Sequence, residues 1–136
     1  MAGNSILATK VREFSLACND QQLPNKPGLL SVKAVEFITD MVYDELDELA
    51  EAKTITEQAD ALVDAIYYLA DIACRHGINI DRLFDIVHTA NMQKVVNGRV
   101  IKRPDGKVEK PENWVDPGPI LEDEVSRQEK EGAFNK

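Results

Sequence analysis

SVKAVEFITDMVYDELDELAEAKTITEQADALVDAIYYLADIACRH, residues 31–76, is the stretch whose reading decides the fold. It contains two helical patterns separated by a very short connection, so the helices should pair antiparallel. Ser31 follows the breaker-rich Pro24–Gly28 run and suits the N-cap of the first. Val35, Ile38, Val42 and Leu49 recur at the 3, 4 and 7 spacing of a buried stripe. The missing member of that series is position 45, and it is Glu45. Glu48 lies three residues on, along the same side. Asp44, Asp47 and Glu51 fall at the edge or outside, where a solvated acidic face accounts for Asp47 and Glu51.

The second helix opens with Thr54-x-x-Glu57, a capping-box pattern, and closes near His76-Gly77. Ile55, Ala59, Leu62, Ile66, Leu69 and Ala73 form one apolar stripe; Val63, Tyr67, Ala70 and Cys74 form another. A helix apolar almost all round should be covered by more than one neighbour. Into it come Asp60, Asp64 and Asp71, with no Lys or Arg between Lys53 and Arg75. Carboxylates facing inward from two paired helices are costly unless a cation lies between them. Glu45, Glu48, Asp60 and Asp64 are therefore the candidate ligands. An oxygen-only set suits Mg²⁺, or Mn²⁺, and Mg²⁺ held by few carboxylates completes its shell with water and substrate phosphates. Neither His76 nor His88 has the Glu-x-x-His context of a di-iron bundle.

Outward from this pair, residues 5–18 read as a short helix carrying Ile6, Leu7, Val11, Phe14, Leu16 and Ala17, with Asn4 or Ser5 as its cap. Residues 19–30 read as a loop. INIDRLFDIVHTANMQKV (78–95) reads as a fourth helix, its inward line being Ile80, Phe84 and Val87 beside Leu83 and Ala90. Continued, that line reaches Asn91 and Lys94. These are either an ordinary helix end, where the dipole favours a cation, or contacts to a sugar or phosphate. RVIKRPDGKVEK (99–110) reads as two short extended segments around a Pro104-Asp105-Gly106 turn. Its bases include Arg103 and Lys107. They are either a solvated surface or the counter-charge for a polyphosphate. Trp114 should pack against the bundle. Residues 121–136 are charged without a wide apolar stripe and read as a tail or frayed helix beyond a 1–120 domain.

DELDEL (44–49), a short turn and DALVDAIYYLAD (60–71) resemble the all-α NTP pyrophosphatases, the MazG-like and phosphoribosyl-ATP pyrophosphohydrolase-like group. VREF (11–14), ANMQK (90–94) and DGKVEKPENW (105–114) extend the resemblance over most of residues 10–119. The group's pattern is Glu-x-x-Glu, a spacer, then Glu-x-x-Asp on Mg²⁺. Glu45, Glu48 and Asp64 match it. Position 61 is Ala where the pattern has Glu, and Asp60 is the stand-in. The resemblance implies site roles for Asn91 and Lys94, and a tetramer as one possible assembly.

Composition bounds the rest. The 136 residues carry 24 acidic and 16 basic side chains, a net charge of −8, which disfavours nucleic acid and anionic membranes as partners. There is no 18-residue apolar run, and MAGNSILATKVREF has no long apolar core of the secretory kind. Cys18 and Cys74 form no metal or redox motif and read as free thiols of a reducing, cytoplasmic compartment. The expectation is an all-α bundle of four main helices with a C-terminal extension, assembled as a homo-oligomer, dimer or tetramer. Its expected activity is Mg²⁺-dependent hydrolysis of a nucleoside triphosphate between the α and β phosphates. Glu45 and Asp60 are the candidates for the base, and Asn91, Lys94, Arg103 and Lys107 hold the nucleotide. Phosphoribosyl-ATP pyrophosphohydrolase activity and a non-catalytic nucleotide-binding relative are the alternatives.

Overall fold

The two long helices of the bundle are α2 (Val32–Glu51) and α3 (Ile55–Arg75), and only residues 52–54 separate them. Both start where local chemistry dictates. The Ser31 hydroxyl accepts from the Ala34 amide at 3.1 Å, and Thr54 and Glu57 close a reciprocal capping box. In this computed structural model, which describes residues 6–134, α1 (Leu7–Cys18) lies against α3. It is followed by α4 (Ile80–Met92), which touches α1, and α5 (Gly118–Glu131), which touches α4. The described residues form five helices. Their only extended pairing is two isolated bridges, Val96 with Arg99 and Lys102 with Val108, around the expected turn.

The described core is small and built from small side chains. Ala8, Val11, Ala70 and Cys74 pack together, with Ile80 and Phe134 against them. Along α3 it is Ala61, Ala70, Ala73 and Cys74 that are buried, whereas Leu62, Val63, Ile66 and Leu69 are about half exposed. Ala70 and Cys74 face Ala8 and Val11 of α1, where short side chains allow close approach. Val35 and Ile55 are exposed as well, against expectation.

Two other expectations are corrected. Of the expected inward line of α4, Ile80 packs on the core, but Phe84 and Val87 are exposed, Phe84 at 63%, while Asp81 is buried. Asp81 faces inward because it caps another helix. Its carboxylate accepts from the Ala8 amide at 2.9 Å and the Thr9 amide at 3.3 Å, two of the donors that the first turn of α1 leaves free. The proposed caps Asn4 and Ser5 lie outside the described residues. The stretch read as a tail or frayed helix is the fourteen-residue α5, anchored by polar groups. Gln128 is fully buried, accepts from the Asn79 amide and donates to the Asn79 carbonyl, each at 3.0 Å. Glu124, also buried, has its pKa lowered by the Arg127 guanidinium 2.7 Å away. Finally, the loop after α1 is tied down: Asn25 accepts from the Ala133 and Phe134 amides, and the Gly28 amide donates to the His76 carbonyl.

Candidate active site

A cleft of about 760 Å³ opens between α1, α2 and α3, within the size range of small-molecule sites. Glu45 of α2 and Asp64 of α3 line one end of it. Phe14, Phe37, Tyr67 and Tyr68 form its walls, and Lys33 and Arg75 also line it. The antiparallel pairing puts Glu45 and Asp64 toward the α2–α3 turn and leaves Lys33 and Arg75 toward the opposite end.

Glu45 is where its register requires. It is buried, at 8% exposure, and its Oε1 has no hydrogen-bond partner. Such a group is costly in an otherwise satisfied interior. Burial pushes its pKa up, and the nearby charges of Glu48, Asp64, Asp60 and Asp44 push it further. The other three sequence-designated carboxylates thus act on Glu45. They do not share one cleft, however. Glu48 and Asp60 line a smaller depression of about 250 Å³ with Glu51, Lys53 and Glu57. Among the described residues, no three His, Cys, Asp or Glu side chains are grouped to hold a metal as they stand. Glu51, expected to lie outside the cluster, belongs to this second depression. Ala61, at the position where the resembled pattern has Glu, is buried at 3% exposure, while Asp60 beside it is exposed.

These observations fit a hard cation. The donor set is all oxygen, and one buried carboxylate oxygen lacks a partner. Asp71, third in the acidic line of α3, differs from the others. The buried Ser15 hydroxyl donates to it, and Arg75 Nε donates to it at 2.7 Å. It is satisfied by the protein and serves to hold α1 on α3. The sequence showed the charge of Asp71 but not its partner, because Ser15 is 56 residues away.

The nucleotide-binding candidates sit elsewhere. Lys94 Nζ donates to Asn91 Oδ1 at 3.1 Å, at the end of α4. Lys94 and Lys110 lie over the Trp114 ring at 5.1 and 4.8 Å, and the indole donates to the Ala90 carbonyl at 2.7 Å. Trp114 thus packs on the helix, as expected. Arg103 forks onto Asp105, whose carboxylate also accepts from the Lys107 amide and is held below its ordinary pKa by Arg103. None of Asn91, Lys94, Arg103 and Lys107 lines the cleft. The signals missed in the sequence are Lys33, Phe37 and Tyr67. The last two looked like core or surface, and only the cleft assembles them. Cys18 and Cys74 are both free thiols, and burial raises the Cys74 pKa to about 11.

A family model described as phosphoribosyl-ATP pyrophosphohydrolase matches residues 11–91, more than half of the chain. The matched span contains α2 and α3 whole, most of α1, and every residue that lines the cleft. A search of the curated proteins returns no match.

Proposed function

Because the chain belongs to the phosphoribosyl-ATP pyrophosphohydrolase family, within the MazG-like all-α NTP pyrophosphatases, we propose that it is a divalent-metal-dependent nucleotide pyrophosphohydrolase. It cleaves a nucleoside triphosphate between the α and β phosphates, releasing a monophosphate and pyrophosphate. The observation that carries this reading is the buried, unpartnered Glu45 carboxylate at the head of a nucleotide-sized cleft. Glu45, Glu48 and Asp64 would hold the cation, with Asp60 as a further ligand or as the group that orients the attacking water. Mg²⁺ or Mn²⁺, when bound, supplies neutralisation of the phosphate oxygens and a water of lowered pKa. Glu45 and Asp60 are the candidates to take a proton from that water. The aromatic walls of the cleft exclude water around the base and sugar. Phosphoribosyl-ATP as the substrate is equally compatible with the family description.

A homo-oligomer and a cytoplasmic location are part of the proposal. The half-exposed Leu62, Val63, Ile66 and Leu69, with Tyr43 and Leu46 on α2, form more apolar surface than a monomer normally leaves open. Asn91, Lys94, Arg103 and Lys107 are assigned to substrate phosphates in that assembly. A light-scattering mass equal to one chain would remove the oligomer and with it this assignment. No helix among the described residues is long and apolar enough to cross a membrane.

The test is pyrophosphate release from a panel of nucleoside triphosphates and phosphoribosyl-ATP, with Mg²⁺ and with EDTA. Metal-dependent release supports the enzyme. Metal-dependent binding without release points to the regulatory alternative, and neither points to a helical interaction module. The metal is tested separately by melting. Saturation at about 100 Kd should stabilise the fold by about 2.7 kcal/mol, because only the folded chain gathers the carboxylates. Identical melting curves in millimolar Mg²⁺ and in EDTA would remove the cation from the site.

A further inference from the structure

Away from Glu45 and Asp64, the cleft is lined by an ion pair on α3, Asp71 with Arg75. Asp71 Oδ2 accepts from Arg75 Nε at 2.7 Å, and Asp71 Oδ1 accepts from the buried Ser15 hydroxyl of α1. Both carboxylate oxygens are thus engaged, and the Asp71 side chain is 17% exposed. Arg75 is the more open partner, at 34%, and its two Nη nitrogens have no partner among the described residues. It bends back one helical turn to reach Asp71, so its planar head is held at that level. From Asp64 to Asp71 is about 10 Å along α3. The rings of Phe14, Phe37, Tyr67 and Tyr68 line the same cleft. Phe14 and Phe37 are each more than half exposed, and Phe14 meets Tyr67 edge-on at 6.0 Å. Exposed rings around an open cleft suit a planar heterocycle.

We infer that Arg75 sets the base specificity of the cleft and selects a nucleotide whose base is a 6-oxopurine, guanine or hypoxanthine. The inference rests on the pyrophosphohydrolase reading above, with the phosphate chain at Glu45 and Asp64 and the base among the aromatic rings. A nucleotide laid along the cleft in that direction turns the edge of its base remote from the sugar toward Arg75. With Asp71 occupied, that end of the cleft offers donors, and their match is two neighbouring acceptors. Guanine and hypoxanthine present O6 and N7 side by side, which an arginine takes as a pair. Adenine presents N7 next to an amino group, whose hydrogens meet those of Arg75. Uracil and thymine present O4 alone, beside N3–H. Cytosine presents its amino group there, because its O2 lies next to the bond to the sugar. Asp71 and Ser15 act through Arg75, as positioning residues that hold the fork in place. The base so selected differs from the adenine of the family's description.

The test measures kcat and KM for GTP, ITP, 7-deaza-GTP and ATP in Mg²⁺, with wild type, Arg75→Ala and Arg75→Lys. Wild type should favour GTP and ITP over ATP by about 10- to 100-fold in kcat/KM, the discrimination expected of one bidentate arginine–base pair. 7-deaza-GTP keeps O6 and lacks N7, so it should fall toward ATP. Arg75→Ala should remove the preference by raising KM for GTP and ITP far more than KM for ATP. Arg75→Lys should not restore it, since an ammonium keeps the charge beside Asp71 but cannot fork. Calorimetric titration of the Mg²⁺-loaded protein with GTP and with ATP gives the same comparison without turnover. A wild type that treats ATP or 7-deaza-GTP like GTP would overturn the role of Arg75. So would an equal loss on GTP and ATP in Arg75→Ala. If Mg²⁺-dependent pyrophosphate release persists in those cases, the pyrophosphohydrolase reading stands and only this inference is lost. Tighter binding of GTP than of ATP without release would do the reverse. The comparison of nucleotides on wild type needs no variant, so it decides the matter even if Arg75→Ala fails to fold.

Discussion

Glu45→Gln should lower Mg²⁺-dependent turnover by on the order of 10²-fold or more, the scale of a lost base or ligand, and at the same time stabilise the metal-free protein. The two effects have one cause. Glu45 is buried among Glu48, Asp64, Asp60 and Asp44, and its Oε1 has no partner, so its ionised form is disfavoured until a cation arrives. Gln keeps the shape and removes the charge. Relief of that repulsion should therefore raise the Tm in EDTA. The sign with pH follows from the direction of the shift. The folded-state pKa lies above the unfolded one. The penalty is therefore absent below the ordinary Glu range, grows as pH rises through it, and is complete above the raised folded value. The stability difference between Glu45→Gln and wild type should accordingly vanish on acidification. Asp47→Asn is the control, because Asp47 is exposed and lines neither carboxylate-bearing cavity; Glu51 is unsuitable, since it shares a depression with Glu48 and Asp60. If the Glu45 and Asp47 variants behaved alike in EDTA and in turnover, the catalytic assignment of Glu45 would fail.

Gly77→Ala should destabilise the fold by about 2–5 kcal/mol. Two costs combine. Gly77 has φ +71°, a conformation that penalises a side chain by roughly 1–2 kcal/mol. A Cβ there would also run into the backbone of Lys26, reaching its carbonyl oxygen and coming within 2.7 Å of its carbonyl carbon. That backbone cannot easily yield. Gly28 is bonded to His76 at 2.9 Å, and Asn25 is bonded to residues 133 and 134. Overpacking against fixed atoms adds roughly 1–3 kcal/mol. Gly106→Ala separates the two costs, because Gly106 has φ +86° and nothing within 4 Å of its Cβ position. It should lose only the conformational part. Equal melting temperatures for the two variants would mean that the loop does not press on Gly77.

Ser31, Thr54 and Glu57 could be read as caps from the chain alone because capping is settled within four residues. Glu45 could be placed inward for a similar reason: the 3.6-residue period of α2 carries Val42 and Leu49 to the same side. The acids of α3 were visible as charges on an apolar helix. Their grouping was not. The division that puts Glu45 with Asp64 and Glu48 with Asp60 depends on how the two helices pack against each other and against α1.

What the sequence determined by itself is therefore local: four of the helices, the caps of α2 and α3, the helix pair and the inward carboxylate that points to a cation. Tertiary structure decided everything that joins distant positions. Asp81 reads as a helix-start acid, yet it is buried because the first turn of α1, more than 70 residues earlier, offers it two amides. Gln128 reads as part of a polar tail, yet it is fully buried because Asn79 offers both a donor and an acceptor. Lys33 and Phe37 carry no distinguishing pattern, and Tyr67 reads as one member of an apolar stripe, until α1, α2 and α3 enclose a cleft. A hydrophobic period reports which side of a helix avoids water. It cannot report which polar group finds its partner across the fold, since that is fixed by the packing of the helices and not by the residues next to it.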